Sequence, residues 1–140
     1  MSVYLDASVL VALLTEDAFS AKADAYFRRG NLQLLLSDFA AAEFASVIAR
    51  SVRMGQFAKQ KARALFADLD DFRLSGVTSV ETVPADIRGA EVLLRRLDLP
   101  LRAPDALHIA IAQRVGAELA TFDGKMAASA RALGIPLAAL

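Results

Sequence analysis

The chain has 140 residues, and its 16 basic and 16 acidic side chains give a formal net charge of zero at pH 7. This length suits one domain with a sizeable core, and the balanced charge offers no general electrostatic reason to expect nucleic-acid binding. Hydrophobic residues make up 56% of the chain, yet no apolar run approaches the roughly 18 residues that a membrane span needs. Cysteine is absent and His108 is the single histidine, which excludes disulfides, thiolate metal sites and a histidine-based zinc site.

The apolar surplus predicts a heavily buried core together with some surface that a second chain covers. The N-terminal segment lacks the basic flank of a signal peptide and carries Asp6 where the apolar region of such a peptide would begin. We therefore expect a cytoplasmic protein without a membrane segment, organised as one domain over residues 1–140.

Short apolar runs alternate with helical patterns along the whole chain. The first half predicts a strand at Val3–Leu5, helices at Ala7–Leu14 and Phe19–Arg29, a strand at Leu32–Leu36, a helix capped by Ser37 or Asp38 that runs toward Gly55, and a helix at Phe57–Phe72. The second half predicts a strand at Val77–Val83, a helix from Pro84 to Leu97, a nearly all-apolar helix at Asp105–Val115 with Pro104 at its first position, a strand at Glu118–Phe122, a helix at Gly124–Leu133 and an edge strand at Ile135–Leu137. This alternation predicts a three-layer α/β/α domain with a mainly parallel central sheet.

Four acidic residues fall where such a fold places its chemistry. Asp6 and Asp123 each follow a predicted strand, Asp105 lies in the first turn of the most apolar helix, and Glu43 lies among apolar residues of another helix. Ligands of open parallel sheets bind at the carboxyl ends of the strands. We therefore predict that the four carboxylates converge at that edge.

Each acid also has a structural explanation. Asp6 and Asp123 can cap the helices that follow them, and Asp105 can interact with the dipole of its own helix. Glu43 is harder to explain in this way, because an unpartnered buried charge costs several kcal/mol. Its alternatives are an ion pair with Arg50 or a place on an exposed edge.

A converged carboxylate cluster has a chemical consequence. Two like charges about 4 Å apart repel by roughly 4 kcal/mol at an effective dielectric constant near 20, so the cluster requires a cation. Oxygen-only ligation suits Mg²⁺ or Mn²⁺, and the chemistry predicted for such a site is metal-assisted phosphodiester hydrolysis. Ser8 and Thr121 lie two residues from Asp6 and Asp123 and can hydrogen-bond a ligand carboxylate or a water. Ordinary turn chemistry is the alternative for both hydroxyls.

Basic side chains cluster locally in spite of the balanced net charge. The clusters are Arg28 with Arg29, Arg50 with Arg53, Lys59 to Arg63, and Arg95 and Arg96 with Arg102. Taken singly, each cluster is explained best as a solvated helix face. Arg102 can also reach RNA near the acids, although an exposed arginine is the commoner case.

Four sequence pieces resemble the PIN-domain family across essentially the whole chain. They are YLDAS at 4–8, SDFAAAEFA at 37–45, PDALHIAIA at 104–112 and LATFD at 119–123. Their order and spacing are fairly specific, whereas one D-x-S alone would carry no information. The resemblance implies a Rossmann-like PIN fold with Asp6, Glu43, Asp105 and Asp123 as the catalytic and metal-binding acids, supported by Ser8 and Thr121.

Within this family, a compact PIN domain without appended domains is most similar to the VapC toxins of bacterial toxin–antitoxin pairs. The resemblance implies an Mg²⁺-dependent endoribonuclease, with Mn²⁺ as a substitute ion, that acts on RNA and forms a homodimer. It also implies inhibition by a VapB-type antitoxin whose tail packs on the toxin and places a basic residue into the acidic site. Partners of this kind would account for the apolar surplus.

His108 lies one helical turn beyond Asp105, on roughly the same face of the predicted helix. It can support the site by contacting substrate phosphate or a water near the metal. A satisfied structural histidine is the alternative, and we favour it.

Rival enzyme families lack a key residue each. A haloacid-dehalogenase-like phosphatase needs a second Asp two residues after the first, where this chain has Ser8. A receiver domain needs an Asp after a middle strand and a lysine after the last, and neither is present. A degenerate PIN domain that only binds protein or RNA is the rival from another class, and the presence of all four acids argues against it.

Overall fold

The structure is a computed structural model that describes all 140 residues. It contains four strands and seven helices in an alternating order. The elements are β1 (Ser2–Leu5), α1 (Ala7–Leu14), α2 (Ser20–Phe27), β2 (Gln33–Ser37), α3 (Asp38–Arg53), α4 (Lys59–Leu74), β3 (Thr78–Val80), α5 (Pro84–Leu94), α6 (Ala103–Val115), β4 (Glu118–Ala120) and α7 (Gly124–Ala132). No helix is both long and apolar enough to cross a membrane.

The four strands form one parallel sheet in the order β3-β2-β1-β4. Tyr4 lies at its centre, in register with Leu35 of β2 on one side and Leu119 of β4 on the other. The chain builds the sheet outward from β1 in one direction and then returns to the other side of β1 for β4. The order therefore reverses between β1 and β4, and a crevice at such a reversal is where open α/β sheets bind ligands.

Helices cover both faces of the sheet, as a fully parallel sheet requires. Tyr4 and Leu119 point to the face where α5, α6 and α7 pack, and they join the largest buried cluster. Val3 and Leu5 point to the opposite face, beside Val9 of α1, and α3 and α4 cover that face further along the sheet. The predicted three-layer α/β/α architecture is confirmed.

Helix α6 lies deepest in the protein. Its residues from Asp105 to Ala112 are all buried, which matches the nearly continuous apolar composition of this segment. The helix begins one residue earlier than predicted, at Ala103, so Pro104 occupies its second position. Proline is tolerated there because the first amide groups of a helix have no intrahelical acceptor.

Three predicted strands are shorter in the structure, and one of them, Glu118–Phe122, ends at Ala120. The Val77–Val83 prediction shrinks to Thr78–Val80, because the amides of Thr82 and Val83 donate to the carboxylates of Asp38 and Asp86 instead of a neighbouring strand. The predicted edge strand near the C-terminus is a single bridge between Leu137 and Leu119. Pro136 has no amide hydrogen to extend that bridge.

Candidate active site

The four predicted acids line one cavity at the carboxyl edge of the sheet. The cavity has a volume of about 120 Å³, and its wall contains Asp6, Ala7, Ser8, Glu43, Arg102, Asp105, His108, Asp123 and Met126. It lies at the reversal of strand order between β1 and β4. The structure thus brings together every residue that the sequence placed there, apart from Thr121, which lies behind Asp6.

Asp6 is the most buried of the acids, with 2% of its surface exposed. Its Oδ1 accepts hydrogen bonds from the Val9 amide at 3.1 Å and from the Ser8 hydroxyl at 2.6 Å, and its Oδ2 accepts one from the Thr121 hydroxyl. Burial raises the pKa of Asp6, and the bonds from Ser8 and Thr121 oppose that rise. Asp6 therefore caps α1 and at the same time presents a rigidly held carboxylate to the cavity.

The Ser8 and Thr121 hydroxyls both donate a hydrogen bond to Asp6. Each also accepts a hydrogen bond from a backbone amide at the β4–α7 junction. Ser8 Oγ accepts from the Phe122 amide at 2.9 Å, and Thr121 Oγ1 accepts from the Asp123 amide at 3.0 Å. Thr121 was associated with Asp123 by sequence spacing, yet its hydroxyl donates to the acid on the neighbouring strand. The two hydroxyls consequently tie the ends of β1 and β4 together.

Asp105 and Asp123 each use one carboxylate oxygen at a helix start. Asp105 Oδ2 accepts from the Arg102 amide at 3.0 Å, and Asp123 Oδ1 accepts from the amides of Lys125 and Met126 at 2.9 and 3.0 Å. The second oxygen of each carboxylate makes no hydrogen bond within the protein. Helix capping therefore accounts for one oxygen of each carboxylate and leaves the other oxygen available to a ligand.

Glu43 pairs with His108 and not with Arg50. Its Oε1 hydrogen-bonds His108 Nε2, while His108 Nδ1 lies 2.8 Å from the Tyr4 hydroxyl, which in turn lies 2.8 Å from Ser37 Oγ. The Glu43 side chain remains 29% exposed, whereas that of His108 is 2% exposed. His108 therefore joins the cavity through Glu43 and is also the satisfied buried histidine that the sequence favoured.

The donors along this buried chain have one consistent direction. Ser37 Oγ accepts from the Ala40 amide, and its own hydrogen can point to the Tyr4 oxygen. Burial raises the pKa of Tyr4, which keeps its hydroxyl protonated, and that hydroxyl can donate to His108 Nδ1. His108 is then left to donate from Nε2 to Glu43. Sequence reasoning did not connect Tyr4 or Ser37 with the site, although both lie next to apolar residues of buried strands and Ser37 was predicted as a helix cap.

Two cations lie at the rim of the cavity. The Arg102 side chain is 81% exposed, with Nε 3.7 Å from Asp105 Oδ2. A neighbouring hollow of about 330 Å³ is lined by Pro100, Arg102, Asp105, Asp123 and Lys125. Lys125 was not singled out from the sequence, where its place two residues after Asp123 was the available signal. A polyanion entering the cavity would meet both cations.

The donor set of the cavity fits a hard divalent cation. No group of three or more His, Asp or Glu side chains is already arranged around a point that could hold an ion. However, Glu43 Oε2, Asp105 Oδ1 and Asp123 Oδ2 have no partner within the protein, and the cavity contains no sulfur ligand other than the thioether of Met126. Carboxylate oxygens are the ligands that Mg²⁺ and Mn²⁺ prefer. Each of these oxygens can accept a ligand, because its carboxylate is held in the protein through the partner oxygen only.

The chain matches known proteins over nearly its full length. The model of the PIN domain family matches residues 3–132. Ribonuclease VapC46 of Mycobacterium tuberculosis is 30% identical over 141 residues, a match that covers 99% of this chain and 97% of that protein.

Solved structures share the fold at lower sequence identity. Mycobacterium tuberculosis VapC20, described as a Sarcin-Ricin loop cleaving toxin, superposes on this chain with a TM-score of 0.71 at 21% sequence identity. The match covers 91% of this chain and 94% of the VapC20 chain. VapBC2 from Rickettsia felis, bound to a promoter DNA fragment, gives a TM-score of 0.69 at 18% identity. This match covers 99% of the present chain and 98% of the Rickettsia felis chain. The chain therefore belongs to the PIN domain family, among its VapC-type members.

Proposed function

We propose that the chain is a divalent-metal-dependent endoribonuclease, the toxin of a VapC-type toxin–antitoxin pair, with residues 1–140 acting as one PIN domain. The observation that carries the proposal is the meeting of Asp6, Glu43, Asp105 and Asp123 in one cavity at the reversal of strand order. A relative named as a ribonuclease and a structural neighbour described as a Sarcin-Ricin loop cleaving toxin support the same reaction.

The four carboxylates are the residues that would hold Mg²⁺, or Mn²⁺ in its place. The chemistry that the ion supplies when bound is polarisation of the scissile phosphodiester and activation of a water for attack. The protein contributes a carboxylate, Asp6, that three hydrogen bonds hold in place, and a second one, Glu43, that His108 orients. Ser8 and Thr121 act as supporting residues because they orient Asp6.

The same cavity excludes RNA when no cation is present. An RNA phosphate that enters it would face four carboxylates against the single arginine of the wall, Arg102, while Lys125 lies in the neighbouring hollow. Like charges in such a partly enclosed site repel strongly. Productive binding of RNA should therefore depend on the metal, whereas contacts outside the cavity should not.

Cleavage of a mixed RNA pool tests the proposal. The protein is stripped of any co-purifying chain and incubated with Mg²⁺, with Mn²⁺ or with EDTA, in parallel with Asp105→Asn. Asp68→Asn is the matched control, because Asp68 is exposed on α4, away from the cavity. We expect metal-dependent cleavage by the wild type and the control, and none by Asp105→Asn. Absence of cleavage by folded protein with either metal would instead indicate a PIN domain that binds protein or RNA without catalysis.

A VapB-type antitoxin is the proposed inhibitory partner in the cytoplasm. Structural neighbours include VapBC-1 from nontypeable Haemophilus influenzae and FitAB bound to a DNA fragment, with TM-scores of 0.64 and 0.70. Co-expression with an adjacent antitoxin reading frame should give a complex that does not cleave RNA. A homodimer of this chain, predicted from the resemblance, is checked by light scattering of the separated toxin.

A further inference from the structure

The charges of the chain are segregated, although its net charge is zero. No acidic residue occurs between Glu43 and Asp68, and the intervening segment contains five cations. All five are exposed at the end of α3 and the start of α4, and none takes part in an ion pair. We refer to them as the α3–α4 cationic surface, which consists of Arg50, Arg53, Lys59, Lys61 and Arg63.

A groove runs through this surface between the two helices. It has a volume of about 290 Å³, and its cations are Arg53, Lys59 and Arg63. Its apolar part includes Val52 and Phe66. The three cations can bind anionic groups of a ligand, and the apolar residues between them can contact its uncharged parts.

The charges on α4 oppose the dipole of their own helix. Its first turn contains Lys59 and Lys61 and no acid, while Asp70 and Asp71 lie near its C-terminal end, where Arg73 in the last turn pairs with Asp70. Cations at the N-terminus and anions at the C-terminus of a helix both lower its stability. The helix dipole therefore does not explain the two lysines of the first turn, of which Lys61 also lies 4.4 Å from the centre of the Phe57 ring.

Helix α3 provides a contrast within the same protein. Its first turn contains Asp38 and its last turn contains Arg50 and Arg53, which is the favourable arrangement for the dipole. The inverted pattern of α4 is thus not a general feature of the chain. It places three further cations beside the two at the end of α3.

The cationic surface and the acidic cavity lie along the same helix. Glu43 and Arg50 are seven residues apart on α3, which places them on nearly the same face at an axial separation of about 10 Å. Val47, between them on that face, is 42% exposed. This face leads from the cavity to Arg50, at the edge of the α3–α4 cationic surface.

We propose that the α3–α4 cationic surface binds the sugar–phosphate backbone of the RNA substrate outside the acidic cavity. This inference rests on the proposed function for the identity of the substrate. Because the net charge is zero and four carboxylates line the cavity, a separate cationic surface would add affinity for RNA to that supplied by Arg102 and Lys125. Backbone contacts of this kind position a nucleic acid without reading its sequence, and they weaken steeply with salt.

The test measures binding without cleavage. Anisotropy of a fluorescein-labelled single-stranded RNA is recorded in EDTA, over a series of salt concentrations, for the wild type and for Lys59→Gln/Arg63→Gln. The control is Arg28→Gln/Arg88→Gln, which removes the same charge from exposed, unpaired arginines outside the surface. Loss of two phosphate contacts should reduce the slope of log K against log salt by about 1.4, and the affinity at about 0.1 M salt by about 25-fold. The control should change both quantities much less.

Unfolding does not complicate the interpretation, because Lys59→Gln removes a charge that opposes the helix dipole. We expect the melting temperature of the double variant to equal or exceed that of the wild type. An unchanged slope and affinity, or an equal loss in the control, would overturn the proposal. Retained RNA binding together with lost binding of a co-expressed antitoxin would assign the surface to that protein and would also overturn it. If the wild type cleaves RNA and the double variant binds RNA as the wild type does, the proposed function stands and only the RNA-binding role of the α3–α4 cationic surface is refuted.

Discussion

Replacing Tyr4 by Phe tests the buried chain of hydrogen bonds that ends at Glu43. The substitution keeps the ring and removes one oxygen, which lies 2.8 Å from Ser37 Oγ and 2.8 Å from His108 Nδ1. Tyr4, Ser37 and His108 are all essentially inaccessible to water. No water can therefore replace the lost hydroxyl without a rearrangement of the core.

The size of the effect follows from the two groups that lose their partner. A buried donor or acceptor without a partner costs about 1–3 kcal/mol, and Tyr4→Phe leaves one acceptor on His108 and one donor on Ser37 in that state. The more apolar phenylalanine offsets part of this loss, so we expect the free energy of unfolding to fall by about 3 kcal/mol. For a chain of this length, that corresponds to a decrease of roughly 10 °C in melting temperature.

The effect should also reach the site, because His108 loses one of the two hydrogen bonds that orient its ring. With His108 less restrained, Glu43 is held less firmly, and a change of this kind near a metal ligand lowers metal affinity by about 10-fold or more. Urea unfolding in EDTA measures the stability, and calorimetric titration with Mn²⁺ measures the affinity. Activity alone would not separate the two effects.

The second tyrosine of the chain is a matched control. Tyr26 is also buried, with 6% exposure, but its hydroxyl has no hydrogen-bond partner within the protein. Tyr26→Phe should therefore change the free energy of unfolding by less than about 0.5 kcal/mol. A loss below about 1 kcal/mol in Tyr4→Phe, or equal losses in the two variants, would refute the reasoning about unsatisfied buried groups.

Three further substitutions probe the charges of the fold. Asp105→Asn should abolish cleavage and leave the melting temperature in EDTA unchanged or raised. The amide oxygen of the asparagine can still accept from the Arg102 amide, while the repulsion among the carboxylates of the cavity falls. A large decrease in melting temperature would mark Asp105 as structural. Arg114→Ala should lower the free energy of unfolding by roughly 3 kcal/mol in urea titrations, because it leaves Asp86 buried without a cation. Desolvation raises the pKa of Asp86, but the hydrogen bonds from Arg114 and from the Val83 amide, together with the Arg114 charge, lower the net pKa below its ordinary value. The difference in stability between this variant and the wild type should therefore shrink as the pH falls below the ordinary aspartate pKa of about 3.9. The pKa of Asp6 is raised, so its effect on stability runs in the opposite direction to that of Asp86. The free energy of unfolding of the metal-free protein should increase as the pH falls from neutral toward about 4, and Asp6→Asn should remove that increase.

Local patterns explain why the elements of the fold could be predicted. Apolar periodicity, the proline at the start of α5 and the glycine after α6 all act within a few residues, and the corresponding boundaries agree with the structure to within a few positions. The error at β3 has a distant cause. The Asp38 carboxylate is 44 positions from the Thr82 amide that it accepts from, and this bond ends the strand early.

The candidate site divides in the same way. The sequence by itself determined that acids follow β1 and β4 and start α6, since strand ends and helix starts are local properties, and these positions lie at one edge of a parallel sheet. Only the tertiary structure decided how the polar groups pair. Thr121 donates to Asp6 across 115 positions, and Tyr4 meets His108 across 104, because strand order and helix packing bring those side chains together. Hydrogen bonds depend on direction and on distances of a few tenths of an ångström, and no periodicity along a chain contains that information.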